Sequence, residues 1–220
     1  MKIISIRKGF AADHSSTSYE FYAIDKILGS KEKAAVSSLS SRVNPTGKRA
    51  SFIYHGDWAD LPGGWEPLME KFYDVMWSES YDWWTLVMAW DTDPATIKKI
   101  KQFDFTGVDD VGISTYNKNN RLILSIDCRL DILITDDKND YFDNSDYEED
   151  GYGEENNNID NLLMLLEKNR EYIMKGDYRL LKGIIDLYAT DESPVNLPEG
   201  PAEDSALLEE IQELLSCIEV

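Results

Sequence analysis

Residues 83–90 read Trp-Trp-Thr-Leu-Val-Met-Ala-Trp, and this run constrains the fold more than any other stretch of the chain. Side chains of a strand alternate between two faces. A strand that is apolar at both sets of positions must be covered on both sides, as central strands are. The run therefore predicts the middle of a sheet with helices packed against it.

The flanking sequence supplies the neighbours. Residues 2–8 set Ile4 and Ile6 between polar positions, residues 19–24 (Tyr-Glu-Phe-Tyr-Ala-Ile) are aromatic-rich, and residues 50–55 and 75–77 are extended segments of the same kind. Residues 111–116 and 121–128 flank Asn117-Lys118-Asn119-Asn120, a hairpin pattern with Leu122, Leu124 and Ile126 alternating inward and residues 130–134 prolonging its second strand. Residues 9–18 form a polar loop. Ser30 is placed to cap a helix over 31–40 that buries Ala34, Ala35, Val36 and Leu39. Trp65, Leu68, Met69 and Phe72 fall at i, i+3, i+4 and i+7, one helical stripe. Asp93 before Pro94 opens a third helix, with Ile97, Ile100 and Phe103 inward. Three amphipathic segments follow at 159–174, 178–188 and 202–218, the last striped by Leu207, Leu208, Ile211, Leu214, Leu215 and Ile218. The expected fold is α+β: a mixed, largely antiparallel sheet flanked by helices, with an all-helical C-terminal part. Residues 1–135 carry the sheet, 136–158 form an acidic flexible linker, and 159–220 pack as helices on the same core.

With 220 residues, 42% of them hydrophobic, the chain is long enough for one sizeable domain. Its net charge of -20 is uneven. Residues 1–50 hold nine Lys/Arg against four Asp/Glu, whereas residues 136–160 hold eleven Asp/Glu against Lys138 alone. Such a balance argues against direct nucleic-acid binding, which rests on Lys/Arg displacing counterions from phosphates. Cys128 and Cys217 lie far apart in sequence and form no C-x-x-C ligand pair. The apolar stretch at the start is too short and too charged for a signal peptide, and no run reaches the length of a membrane helix. A soluble protein of the reducing cytoplasm is expected, with two buried thiols.

The stretch Arg7-Lys8-Gly9-Phe10-Ala11-Ala12-Asp13-His14-Ser15-Ser16-Thr17-Ser18-Tyr19-Glu20-Phe21 resembles the opening of a family of bacterial proteins with no established activity. Further matches follow in order: Leu39-Ser40-Ser41-Arg42, Tyr54-His55-Gly56-Asp57-Trp58, Leu68-Met69-Glu70-Lys71-Phe72-Tyr73-Asp74, and Lys175-Gly176-Asp177-Tyr178-Arg179 with Pro194 to Pro198 after it. The resemblance covers most of the chain. It implies a compact bacterial protein and transfers no catalytic residue. An association of the family with SWIM zinc-finger neighbours implies a partner-dependent role.

The chemistry-bearing candidates are few. Asp13, His14 and Ser15 place an imidazole between a carboxylate and a hydroxyl, the ingredients of a general base and nucleophile. Adjacent residues rarely adopt triad geometry, and local backbone capping by Asp and Ser is the plainer use of the loop. His55, with Asp57 two residues on, would join His14 if the strand end at His55 lay beside the 9–18 loop. Asp146, Glu148 and Asp150 occupy positions 1, 3 and 5 of a calcium-loop pattern, but Asn157 stands where the bidentate Glu belongs. Weak divalent-ion association or a solvated acidic segment is what remains. The tryptophans of residues 77–90 read as core, and Trp58 and Trp65, near Gly/Pro turns, as the more exposed binding aromatics. No cofactor is implied, and no phosphate-cradling glycine loop is present. These features favour a non-enzymatic protein–protein interaction or regulatory component. An acidic mimic of DNA that inhibits a nucleic-acid-binding protein, and a hydrolase or transferase using His14 and His55, are the alternatives.

Overall fold

The computed structural model describes residues 16–41, 43–55, 61–80, 83–130, 155–188, 190, 194, 196–199 and 208–218, with the backbone alone at 16, 55 and 155–160. Residues 2–8, 131–134 and 136–154, read above as strand, strand extension and linker, lie outside them. The fold is α+β. Among the described residues seven strands form one antiparallel sheet: β1 (Ser16–Tyr22), β2 (Arg49–His55), β3 (Val75–Ser80), β4 (Trp83–Asp91), β5 (Phe105–Thr106), β6 (Gly112–Lys118) and β7 (Arg121–Cys128). Their order is β2-β1-β3-β4-β7-β6-β5. The helices are α1 (Ser30–Ser37), α2 (Glu66–Lys71), α3 (Pro94–Ile100), α4 (Glu155–Met174), α5 (Arg179–Tyr188) and α6 (Glu209–Cys217).

The tryptophan run is the central strand β4. Trp84, Leu86, Met88 and Trp90 join Trp77, Leu122, Leu124 and Ile126 in one buried cluster with α3, α4, α5 and α6. Val87 and Ala89 point the other way, into a second cluster with Phe21, Phe52, Met76, Ile123 and residues of α1 and α2. Both faces are thus covered, and Trp77, Trp84 and Trp90 are core side chains. The β6–β7 hairpin turns through Asn119, whose φ of 55° suits a residue that tolerates the left-handed region.

Several boundaries differ from the expected ones for local reasons. β1 begins at Ser16, because pairing with both β2 and β3 draws the last polar residues of the 9–18 loop into the ladder. α1 starts one residue earlier than a Ser30 cap implies: Gly29 is the cap, and Glu32 reaches back to accept from its backbone N–H at 2.7 Å. Of its three apolar residues only Val36 is fully buried, and Leu39, expected on the same face, lies beyond the helix end at Ser37. β3 runs on to Ser80, since Ser78, Glu79 and Ser80 pair with both neighbouring strands despite their polarity. Leu130 makes an isolated bridge with Ile218.

α4 sets the helical layer. It ends in a left-handed Gly176 (φ 86°), where the Gly176 N–H donates to Ile173 C=O and the Asp177 N–H to Tyr172 C=O, a Schellman closure. Asp177 then accepts from the Arg179 N–H and pairs with the Arg179 guanidinium at 2.7 Å, which starts α5. Two consecutive buried polar residues of α4 reach in different directions. Asn169 donates to Glu210 C=O in the first turn of α6. Arg170, 2% exposed, donates from Nε to Ala89 C=O at 2.8 Å and pairs through Nη2 with Asp25. That carbonyl is open to it because the Ala89 N–H donates to Asp74 C=O while the Asp74 N–H, instead of returning a bond to Ala89 C=O, donates to Tyr22 C=O. Removing a buried charged partner costs several kcal/mol. Arg170→Ala is therefore expected to lower unfolding free energy by about 3 kcal/mol in urea titration, and Arg170→Met, which keeps most of the packing volume, by less.

Candidate functional site

Two polar ends of the sheet stand out against its apolar middle. At the first, β1 and β4 finish, β3 begins and the β6–β7 hairpin turns. There a cleft of about 800 Å³ opens, lined by Asp25, Lys26, Glu70, Lys71, Asp74, Asp91 and residues 118–121. Its floor is locked. Arg121 donates from Nε to Met69 C=O at 2.7 Å and from Nη2 to Tyr73 C=O at 2.6 Å and to the Asp74 carboxylate at 2.8 Å. The other Asp74 oxygen accepts from the Ile24 and Asp25 N–H groups at 2.7 and 2.9 Å. These bonds fasten the chain leaving β1 to the start of β3 and β7. The rim is different. Lys118 is 65% exposed and 4.0 Å from Glu70, and Asp91 is 79% exposed and 3.8 Å from Arg121. Lys26 donates to Lys71 C=O and pairs with Glu32, leaving the Lys71 ammonium at the mouth.

The cleft has the volume of a ligand pocket but not its lining. Small-molecule sites are mostly apolar with a few polar groups. Every residue lining this one is charged or an Asn, with both signs interspersed. It contains no histidine or cysteine, hence none of the commonest nucleophiles and bases.

Toward the opposite end of the sheet, where β2 and β3 finish and β1 begins, lie Glu79 of β3 and Asp127 of β7, and between the two ends lies Glu20, opposite Ser51 and Trp77. Glu20 of β1 is 7% exposed and its carboxyl accepts one hydrogen bond, from the Ser51 hydroxyl on β2 at 2.7 Å. Burial raises it to about 7, against smaller lowering effects of the Ser51 bond and the Arg49 charge. Glu79 of β3, 8% exposed, lies on the same face, opposite Ser18. On the other face the Asp127 carboxyl, raised by burial, accepts from the Thr85 hydroxyl at 2.7 Å, and the Thr17 and Ser80 hydroxyls meet at 3.1 Å. Glu20 and Glu79 escape a sequence reading that takes strands as alternating patterns. The usable signal is a carboxylate inside an aromatic-rich strand, Tyr19-Glu20-Phe21-Tyr22, whose neighbours are themselves interior.

The sequence candidates divide simply. His55 closes β2 directly opposite Ser16, so the strand end and the segment that follows His14 do meet at the backbone. Asp13, His14, Ser15, Asp57, Trp58, Asp146, Glu148 and Asp150 lie outside the described residues. Trp65 is half-buried and packs on the second cluster rather than standing open. Cys128 is buried and its thiol pushed up by burial, and Cys217 is half-buried. Among the described residues no group of three His, Cys, Asp or Glu side chains is arranged to hold a metal ion, and no helix is long and apolar enough to cross a membrane.

No family model, curated protein or solved structure matches the chain.

The division of the cleft into locked floor and open rim is testable. Asp74→Asn breaks a pair that is 2% exposed on the acid's side and is expected to cost about 3 kcal/mol in urea titration, whereas Asp91→Asn should stay within about 0.5 kcal/mol. Equal costs would mean that the rim is structural as well.

Proposed function

We propose that the chain is a non-enzymatic interaction protein of the cytoplasm that meets a protein partner through the charged cleft. One observation carries this reading: an all-polar concavity of mixed sign, whose floor is occupied by internal bonds while Lys71, Lys118 and Asp91 face outward. Rim charges of this kind steer encounter and select partners by complementarity. In a chain of net charge -20, a concave place where four cations stand among four acids offers a partner's acidic groups a complement. The resemblance to a family with a partner-dependent role agrees with this reading. The test uses the full chain, immobilised, against native bacterial cytoplasm. A stoichiometric partner is expected to be retained by the wild type and by Lys168→Ala on the outer side of α4, and to bind at least about tenfold more weakly to Lys71→Glu/Lys118→Glu. A partner-free monomer, or a partner indifferent to that reversal, would sink the proposal.

A second reading, a hydrolase or transferase that uses His55, is favoured by the Ser16–His55 pairing, which brings the strand end beside the segment that follows His14. It predicts an activity abolished in a folded His14→Ala/His55→Ala variant and untouched by the cleft reversal.

A further inference from the structure

Glu20 sits where the covered sheet gives way to an open edge. Its strand, β1, has β3 on one side and β2 on the other, and among the described residues β2 pairs with nothing else. On the β3 side the neighbour across from Glu20 is Trp77, 1% exposed and part of the large cluster beneath α4. On the β2 side the neighbour is Ser51, which is exposed, as is Ile53 at 41% on the same face. The carboxyl is therefore walled on one side by packing that is costly to disturb and on the other by a seven-residue edge strand.

We propose that Glu20 is a proton-operated latch on the β2 edge: protonated, it stays buried against Ser51 and β2 stays paired; ionised, it draws water by loosening β2 from β1. The charged and titratable groups that face it are few. Arg49 and Ser51 come from β2, Glu79 from β3 and Ser18 from its own strand. α4 crosses β3 on that face, and Glu155 and Asp160 in its first turns have side chains outside the described residues. Glu79 places a second carboxyl on the same face, opposite Ser18. Arg49, two residues along β2, is the described cation that favours the ionised form.

The direction with pH follows from burial. A carboxyl held near 7 in the fold, against an ordinary value of 4.5, binds its proton more tightly folded than exposed. The stability this lends is full below the ordinary value, is lost as pH rises toward 7, and does not fall further above it. If opening β2 restores ordinary behaviour to Glu20, the local opening constant grows by up to a few hundredfold across that window.

Hydrogen exchange of the full chain from pH 5.5 to 8.5, corrected for the intrinsic pH dependence of exchange, tests the latch. Protection of residues 49–55 is expected to fall about tenfold between pH 5.5 and 7 and to level off above, while β4 and β7 keep theirs. Glu20→Gln should abolish the fall, although His55, the histidine of β2, is intact in that variant. Ser51→Ala removes a bond that favours the charged form and should move the midpoint upward. The proposal is overturned by β2 protection that does not change with pH, by a change that survives Glu20→Gln, or by all strands losing protection together. Should Glu20→Gln fail to fold, the carboxyl carbon resonance of Glu20 in the wild type decides: a midpoint near 4.5 overturns the latch, and one near 7 that rises in Ser51→Ala supports it.

Discussion

Arg170 brings a full positive charge into a layer otherwise built from Leu162, Leu163, Leu166 and Ile173, and the surrounding structure is arranged to receive it. A guanidinium at that depth is tolerable only when its charge and its donors are met. Asp25 meets the charge and Ala89 C=O takes the Nε proton. Both partners exist because the sheet is slightly irregular at its charged end, where Asp74 turns its N–H to Tyr22 and leaves the β4 carbonyl available. Arg170 thereby fixes the register of α4 over β3 and β4. Asn169, one residue earlier, fixes α6 against α4, and Gly176 with Asp177 fixes the corner into α5. The placement of α4 and α6 traces to two adjacent residues, and that of α5 to the corner that follows them.

The same irregular end also makes the cleft. Asp74 holds the chain leaving β1 with two backbone N–H bonds and holds β7 through Arg121. Because those bonds consume the polar groups of the floor, the rim keeps charges that the fold does not need. Away from the cleft the reverse applies: Glu20 and Glu79 are buried where packing alone would prefer apolar side chains. Natural sequences break the apolar pattern where something other than stability is selected.

Much of this architecture can be read from residue spacing. The doubly apolar run at 83–90, the Asp93-Pro94 start and the Leu/Ile stripes of α4, α5 and α6 point to their elements through periods of 2 and 3.6 that burial imposes. What escapes is polar. β3 was legible only as far as Trp77, because Ser78-Glu79-Ser80 carries no apolar alternation, and α4 begins at Glu155 ahead of its first stripe residue. Arg170 and Asn169 look like ordinary solvent-side residues of an amphipathic helix. Their roles depend on partners 145 and 41 residues away, which no local pattern encodes. The cleft is likewise assembled from segments widely separated in the chain.

That separation has a consequence for synthesis. Ala89 precedes its partner Arg170 by 81 residues. At about 5–20 residues per second, roughly 4 to 16 s pass between the appearance of the two at the peptidyl-transfer centre. During that interval Trp77, Trp84 and Trp90 have no α4 to cover them, so a nascent sheet presents a tryptophan-rich face to its surroundings. Slowing translation between β7 and α4 lengthens that exposure.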